Sequence, residues 1–351
     1  MTLLLLALVT LVRVPEGGIQ PQVVQERDGT SHMIYMTGDP MNADIWYTKT
    51  RDGKSFAPAI KVNSTPGAAI AVGTIRGPQL AVGRNGRAHV AWMGSSKTAK
   101  PTPMLYTRLD ASGKAFEKER NVIASAYGLD GGGSVAADAK GNVWVVWHAP
   151  GKDDEHDEAH RKVWVATSKD DGADFAPERL AWSEPTGSCA CCGMRASADA
   201  DGVLRIMYRG AKEMVHRDMY LLESRDGGNS FKGRLVDEWN VGKCVMSSTV
   251  IRDGMLAWET REQVHASSNG KTLTPDGTGK RKHPMVAKNA KGETLVAWVE
   301  VPGWKQPGVL AWQVFTKDGT PTGDKGRAEG VPIWSLAAAL VRPDGSFSLV
   351  Y

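Results

Sequence analysis

The sequence lacks any stretch of useful length in which apolar residues recur with helical periodicity, which argues against a helical fold. It also lacks a long Pro/Ser linker or a low-complexity tract, so we expect its 351 residues to form one domain. No stripe of Lys and Arg stands out and the formal net charge is only +4, so nucleic acid is not an expected partner. Cysteine is scarce, with four residues. These absences leave an all-β domain in which cysteine chemistry can occur at few places.

Long apolar runs are missing except at the N-terminus, where residues 1–12 read MTLLLLALVTLV. This run has the length of the apolar region of a secretory signal peptide and is too short for a transmembrane helix. We therefore predict a signal peptide at residues 1–15 and a single domain at residues 16–351 in an extracytoplasmic compartment, periplasmic or secreted. The alternatives are a misassigned start codon and an ordinary apolar strand. After removal of the leader we expect a monomer without a transmembrane segment.

What the sequence does contain is a repeat. Seven times a turn glycine is followed by a short apolar strand that ends in an aromatic residue, and we call these aromatics the aromatic column. The pairs are Gly29–Tyr35, Gly86–Trp92, Gly141–Trp147, Gly202–Tyr208, Gly254–Trp258, Gly292–Trp298 and Gly345–Tyr351. A repeat period of about 40–60 residues is typical of radial or stacked arrays. Asn-Gly and Asp-Gly supply the positive φ that tight hairpins need. The sequence thus predicts an all-β fold with seven inner hairpins.

A second glycine turn follows the third strand of the repeating unit. The clearest copy is SRDGGNSF at residues 224–231, and SKDDGADF at residues 168–175 differs from it at the second Ser. We expect the Asp to accept backbone N–H hydrogen bonds and the Gly to supply an unusual φ. The motif resembles the Asp box of the sialidase (neuraminidase) superfamily, the BNR-repeat β-propellers. The resemblance implies a six-bladed propeller of four-stranded blades, and six Asp-box-like turns occur, whereas the hairpin count gives seven blades.

Strand alternation places the hairpin turns and the Asp boxes at one end of the blades, and the links from one blade to the next at the other end. Loops at one end of a rigid β scaffold are where binding and catalysis usually occur. We therefore expect the functional site at the linking end of the blades.

The resemblance also implies roles for residues near the links. Sialidases are expected to hold a substrate carboxylate with arginines, and to use an aspartate as acid/base and a tyrosine, activated by a glutamate, as nucleophile. The catalytic candidates are Asp130, Tyr127 and Glu259, and the substrate-binding candidates are Arg76, Arg195, Lys282 and Trp334. The main prediction is a glycan-directed propeller, either an exo-sialidase-type glycoside hydrolase or a lectin-like binder, with a glycan or other small ligand as partner and no required cofactor.

The four cysteines fall in two links, as the run Cys189-Ala190-Cys191-Cys192 and as Cys244. Because the links converge on the axis of the propeller, we expect Cys244 near the other three. Three interpretations stay open: disulfide bonding in an oxidising compartment, a copper site in which the four cysteines and Met246 bind Cu(I), and a thiol redox role. The spacing does not match a zinc ribbon.

An acidic, histidine-containing run occupies residues 153–160, with the sequence DDEHDEAH. We expect a solvated surface loop there, with divalent-metal binding as the alternative. Three classes of function therefore remain for the chain. They are the glycan-directed propeller, an extracytoplasmic copper-binding propeller and a non-catalytic interaction scaffold.

Overall fold

The computed structural model describes residues 8–73, 77–129, 131–268, 270–300 and 306–351. Across these residues, 27 β-strands form seven sheets, and helical structure is limited to two 3-10 turns, Pro15–Gly17 and Arg84–Gly86. Within the same residues there is no helix long and apolar enough to cross a membrane. The predicted all-β fold is confirmed.

Six of the sheets contain four consecutive antiparallel strands, and we number them blades 1–6 in chain order. The strands of blades 1–3 are β2 (Ile19–Gln25), β3 (Ser31–Asp39), β4 (Asn42–Thr50), β5 (Ile60–Lys61), β6 (Gln79–Val82), β7 (Ala88–Met93), β8 (Met104–Arg108), β9 (Arg120–Asn121), β10 (Gly133–Ala137), β11 (Val143–Ala149), β12 (Lys162–Ser168) and β13 (Arg179–Leu180). The strands of blades 4–6 are β14 (Arg195–Ala198), β15 (Leu204–Arg209), β16 (Met219–Ser224), β17 (Lys232–Asp237), β18 (Thr249–Arg252), β19 (Met255–Thr260), β20 (Gln263–Ser268), β21 (Lys271–Leu273), β22 (Arg281–Lys288), β23 (Thr294–Glu300), β24 (Gly308–Phe315) and β25 (Pro321–Val331).

Blade 7 joins the two ends of the described chain. The hairpin β26 (Ala338–Val341) and β27 (Phe347–Val350) takes its third strand from β1 (Val9–Val12), which runs parallel to β27. Because this third strand comes from the N-terminal segment, blade 7 needs no Asp-box turn of its own. The count of seven blades from the hairpins is confirmed, and the six implied by the resemblance is not the observed number. Strand β1 lies within residues 1–15, for which the signal peptide stays a prediction.

Two links between blades position the residues discussed below. The 3–4 link, residues 181–194, runs from β13 to β14, and the 4–5 link, residues 238–248, runs from β17 to β18. Each link begins at the last strand of one blade and ends at the first strand of the next. Both links therefore arrive at the same end of neighbouring blades.

The apolar core lies between the blades, where the faces of adjacent sheets meet. The aromatic column contributes to it, and Tyr35, Trp92, Trp147 and Tyr208 are almost completely buried. Trp92, for example, packs with residues of blades 1 and 2, and Trp147 with residues of blades 2 and 3. Burying a large apolar side chain contributes about 1.5–3 kcal/mol. The column is therefore part of the scaffold that holds neighbouring blades together.

Blade 5 departs from the glycine–aromatic spacing because its first hairpin has a tighter turn. Arg252 pairs with Met255 across only two residues, Asp253 and Gly254, whose φ angles are 50° and 74°. Two successive positive φ angles are what a two-residue type I′ turn requires. The short turn explains why Gly254–Trp258 is closer in sequence than the other six pairs.

The best Asp box acts as predicted from the sequence. Asp226 Oδ1 accepts the backbone N–H groups of Asn229 at 3.0 Å and of Ser230 at 2.9 Å. In the same turn, the carbonyl of Gly227 accepts the indole N–H of Trp144 from blade 3 at 2.9 Å. The turn therefore stabilises its own backbone and also joins blade 4 to blade 3.

A buried carboxylate joins blade 3 to the link that precedes it. Glu178 accepts the backbone N–H groups of Ala124, Ser125 and Ala126 at 2.9, 2.7 and 2.6 Å. Burial opposes ionisation of this carboxyl, but the three N–H donors outweigh it and lower the pKa of Glu178 below its ordinary value of 4.5. The ionised form of Glu178 is therefore part of the fold.

We expect Glu178→Gln to lower the free energy of unfolding by about 1–3 kcal/mol, because the amide group replaces one acceptor of a charged hydrogen-bond set. A group with a lowered folded-state pKa stabilises fully above its unfolded pKa and loses that contribution as the pH falls through the folded pKa. The difference from wild type, measured by urea unfolding, should therefore shrink as the pH drops below 4.5. Glu155→Gln, at an exposed position, is the control. Equal stability of wild type and Glu178→Gln at pH 7 would contradict this account.

Candidate functional site

The residue directly after each aromatic of the column is buried in all six blades where the chain continues. In blades 1, 2 and 6 it is apolar, namely Met36, Met93 and Val299. In blades 3, 4 and 5 it is polar, namely His148, Arg209 and Glu259. Buried polar groups need a structural or chemical reason. Three of them in successive blades single out one sector of the propeller.

Arg209, the last residue of β15, is the organising side chain of this sector. Its guanidinium donates to the hydroxyl of Ser247 at 2.5 Å and to the backbone carbonyls of Arg217 and Glu259. It also lies 5.1 Å from the centre of the Trp239 ring, within cation–π range. Arg209 therefore connects blade 4 to the 4–5 link and to blade 5.

All four cysteines and Met246 lie in this sector. Cys191 and Cys244 form a disulfide, and Cys189 and Cys192 are free thiols. Cys189 Sγ lies 3.0 Å from Cys192 Sγ and 3.5 Å from Cys191 Sγ. Cys189, Cys191 and Cys192 are at most 5% exposed and share an apolar cluster with Met246, whereas Cys244 is exposed. We call the four cysteines the cysteine cluster; they hold one disulfide and two thiols.

The two free thiols differ in their surroundings. Cys189 donates its S–H to Cys192, which also accepts from the N–H and the hydroxyl of Ser247, both at 3.4 Å. Burial opposes ionisation of Cys192, but these donors and the charge of Arg209 lower its pKa to about 6. The hydrogen bond to Cys192, together with burial, raises the pKa of Cys189. At neutral pH the pair therefore holds one proton, on Cys189.

Hydrogen bonds fix the 3–4 link from both sides. Glu158, in the loop between the second and third strands of blade 3, accepts the N–H of Ala190 at 2.8 Å and the guanidinium of Arg217 at 2.6 Å. On the other side, the N–H of Gly193 donates to the carbonyl of Ser247 at 2.9 Å. The cysteines of the 3–4 link are therefore held against the 4–5 link.

A second group of titratable residues adjoins the cysteine cluster. Within the described residues, the buried carboxylate of Glu259 has no hydrogen-bond partner, although Lys282 Nζ lies 3.3 Å from Oε1 as an ion pair. Burial outweighs Lys282 and raises the pKa of Glu259 to about 8. Burial, with Lys282 and Arg195 nearby, lowers the pKa of His283 to about 3, and its Nδ1 lies 3.2 Å from the Ser248 hydroxyl. At pH 7 Glu259 and His283 are both neutral.

The starts of several blades have a strained backbone. Gln20, Met246, His283 and Trp334 have φ angles of 51°, 44°, 53° and 61°, in the left-handed region that favours glycine. Such a conformation costs a non-glycine residue on the order of 1–2 kcal/mol and occurs preferentially at functional sites. A hydrogen bond between two of these residues offsets part of this cost, because Gln20 Nε2 donates to the carbonyl of Trp334 at 2.8 Å. These four strained residues lie at the linking end of the blades, where the functional site stays a prediction.

The catalytic and substrate-binding residues predicted from the resemblance do not all lie in one place. Glu259, Lys282 and Arg195 lie in the sector described above. Tyr127 is 39% exposed and stacks on His156 at 4.0 Å, so its ring partner belongs to the acidic loop. Arg76 and Asp130 lie outside the described residues.

Other polar regions are solvated. Glu155, Asp157 and His160 form an exposed group in the acidic loop, in which His160 bonds to Asp157 at 2.8 Å. An open cavity of about 520 Å³ lies at the turns of blades 1 and 2, beside Asp28 and Arg51. Neither region combines buried polar groups with reactive side chains as the sector around Arg209 does.

Sequence reasoning missed Arg209 and Ser247. The sequence does contain a signal for Arg209, because a charged residue directly follows Tyr208 at a place that is apolar in three other blades. Ser247 carries no such signal, since a serine in a link is ordinary and its importance comes from its contacts with Arg209 and Cys192.

We expect two free thiols and one disulfide in the isolated protein. Denaturation in acid, alkylation with N-ethylmaleimide and non-reducing peptide mapping should place the label on Cys189 and Cys192 and recover a Cys191–Cys244 cross-link. A fully reduced protein, or a predominant Cys189–Cys192 bond, would show the arrangement to be wrong.

Comparison with known proteins supports the fold. No family model and no curated protein matches the chain. An α-L-arabinanase of Penicillium chrysogenum complexed with arabinobiose is 12% identical with a TM-score of 0.55, and the match covers 88% of this chain and 96% of that one. A sialidase of Trypanosoma rangeli is 14% identical with a TM-score of 0.52, over 82% of this chain and 53% of that one. An ulvan lyase is 9% identical with a TM-score of 0.51, over 92% and 87%. The chain therefore has a β-propeller fold similar to that of these proteins.

Proposed function

We propose that the cysteine cluster binds a soft monovalent metal ion, Cu(I), through Cys189 and Cys192. The observation that carries this proposal is the pair of free thiols, 3.0 Å apart and buried in one cluster with Met246. Thiolate and thioether sulfur are the ligands that Cu(I) prefers. The ligand set is thus two thiolates, with the Met246 thioether as a neighbouring third sulfur.

The number of available thiols favours Cu(I) over zinc. Structural zinc sites are tetrahedral and use four protein ligands. Because Cys191 and Cys244 are bonded to each other, a site made of four cysteine thiolates would first require reduction of that disulfide. Two thiols are enough for a monovalent soft ion.

The surrounding charges support the same choice. A complex of one monovalent ion with two thiolates carries a charge of −1. The buried guanidinium of Arg209 favours the thiolate of Cys192, whereas at Cys189 the effect of Arg217 is outweighed by that of Glu158, with which Arg217 forms an ion pair. Opposite charges attract strongly where water is excluded. The site therefore suits an anionic complex better than the neutral complex that a divalent ion would form.

We expect the metal-free full chain, with its disulfide intact, to bind about one Cu(I) per molecule under anaerobic conditions. Copper would be measured by elemental analysis after gel filtration, with a Cu(I) chelator as competitor. Cys189→Ser/Cys192→Ser should retain no copper, because both thiolates are gone. Met246→Leu is the matched control and should keep the stoichiometry, since both thiols remain. Copper retained by the double variant, or none bound by wild type whose two thiols are free, would exclude the proposal.

A second candidate function is glycan-directed activity in the same sector. It is supported by Glu259, a buried carboxyl group next to Lys282 that is neutral at pH 7, as a general acid must be. It is supported more weakly by the fold, since proteins of this architecture include an arabinanase, a sialidase and an ulvan lyase. Export to an oxidising compartment fits both candidates, because a disulfide such as Cys191–Cys244 is typical of such compartments.

If the second candidate is correct, the protein should hydrolyse aryl α-sialosides or aryl α-L-arabinosides. Glu259→Gln should lower kcat at least about 100-fold, because a general acid contributes that much or more. Activity should fall as the pH rises through about 8, where Glu259 loses its proton. Glu262→Gln, whose carboxylate is at the surface, is the control. Absence of turnover, or equal rates in wild type and Glu259→Gln, would remove this candidate.

A further inference from the structure

We infer that the Cys191–Cys244 disulfide exchanges with the buried thiols, and that Cys244 is the point through which an external disulfide oxidises Cys189 and Cys192. The inference rests on the proposed function at one point, because Cys189 and Cys192 are also the proposed ligands of Cu(I). The exchange itself needs no metal. It would give the protein a thiol–disulfide activity and would make metal binding depend on redox state.

The geometry is a chain of sulfur atoms that runs from the surface into the core. Cys244 is exposed, and its bonded partner Cys191 is buried. Cys189 Sγ lies 3.5 Å from Cys191 Sγ on one side and 3.0 Å from Cys192 Sγ on the other. Each sulfur thus lies next to the one with which it must react, and Cys189 connects the disulfide to the second thiol.

The first step transfers the disulfide from Cys244 to Cys189. The sulfur of Cys189 attacks Cys191 Sγ while its proton passes along the hydrogen bond to Cys192. The Cys191–Cys244 bond breaks, a Cys189–Cys191 bond forms, and Cys244 leaves as an exposed thiolate. Exchange by thiolate attack on a disulfide sulfur is the general route for such rearrangements.

The second step produces a local disulfide in the 3–4 link. Cys192 gives up its proton and attacks Cys189 Sγ, so that a Cys189–Cys192 bond forms. Cys191 leaves and takes the proton. One disulfide, one thiolate and one thiol are present before and after the two steps, so no external oxidant or reductant is consumed.

The rearranged protein can then react with a disulfide of a small thiol or of a partner protein. Cys244 attacks that external disulfide, and Cys191 resolves the mixed disulfide and restores the Cys191–Cys244 bond. Two electrons and the proton of Cys191 pass to the external disulfide, which leaves as one thiol and one thiolate, and Cys189 and Cys192 remain joined. In that state they are no longer thiolate ligands, so bound Cu(I) would be released.

The fold holds these sulfurs in contact. Ser247 donates to Cys192 from the 4–5 link, which also carries Cys244. Glu158 holds the backbone at Ala190, between Cys189 and Cys191. Because both links are anchored, the exchange requires changes in side-chain sulfur positions rather than separation of the blades.

The test is alkylation of native wild-type protein after removal of metals with a chelator, under anaerobic conditions. N-ethylmaleimide is added, samples are quenched in acid over time, and labels and disulfides are mapped by mass spectrometry. Exchange should label Cys244 and Cys191 and leave a Cys189–Cys192 disulfide. Labelling of Cys189 or Cys192 with Cys191–Cys244 intact would overturn the inference. So would no labelling over a period in which the denatured protein reacts completely.

Two variants separate the steps. Cys189→Ser removes the attacking sulfur, so labelling of Cys244 should fall at least tenfold while Cys191–Cys244 persists. Cys192→Ser keeps the attacking sulfur but removes its proton acceptor and blocks the second step, so Cys244 should still be labelled, more slowly than in wild type, together with a Cys189–Cys191 bond. Equal labelling of Cys244 in the two variants would contradict the inference. The exchange test is done without copper, so its outcome is independent of the separate Cu(I)-binding experiment. If exchange fails and Cu(I) still binds, the disulfide is a structural link only. If exchange occurs and Cu(I) does not bind, only the metal-binding proposal is removed.

Discussion

The buried Arg209 guanidinium must be fully hydrogen-bonded, and the structure of the propeller around blades 3, 4 and 5 depends on this requirement. Desolvating a charged group costs several kcal/mol unless hydrogen bonds replace its hydration. Arg209 recovers them from the Ser247 hydroxyl and from carbonyls of two blades. Because Ser247 also donates to Cys192, the contacts that satisfy the cation also fix a sulfur atom. The Arg209 guanidinium and the Cys192 sulfur thus belong to one hydrogen-bond network.

The protonation states in this network depend on one another. Arg209 and the hydrogen bonds to Cys192 favour a thiolate there, and the charge of Cys192 in turn helps to keep Glu259 protonated. Lys282 opposes the second effect but does not overcome burial. The sector therefore holds a thiolate and a neutral carboxylic acid near each other. In water at pH 7 an isolated cysteine would instead be a neutral thiol and an isolated glutamate a carboxylate. This inversion is typical of sites that carry out binding or chemistry.

The sequence was sufficient for the architecture because each blade repeats the same local signals. The glycine–aromatic pairs predict all seven hairpins, and even the short pair Gly254–Trp258 follows from its turn chemistry. The site was less accessible. The links bring Cys244 to the other cysteines as expected, but spacing allows three pairings and cannot select Cys191–Cys244. Tyr127 illustrates the same limit, because its assignment came from the resemblance and no signal in the sequence indicates its contact with His156.

The disulfide is not what closes the ring, and this bears on its role. Closure is made by β1 on β27 and by the apolar cluster between blades 7 and 1, whereas Cys191–Cys244 joins two links beside blades 4 and 5. In the loop-closure model, a bond that spans 53 residues stabilises a fold by about 4 kcal/mol, and a C-x-x-C bond by roughly 1.5 kcal/mol. Moving the bond to Cys189–Cys192 would therefore reduce stability while leaving the hydrogen-bonded closure unchanged. A disulfide that can be lost without opening the propeller is free to take part in chemistry.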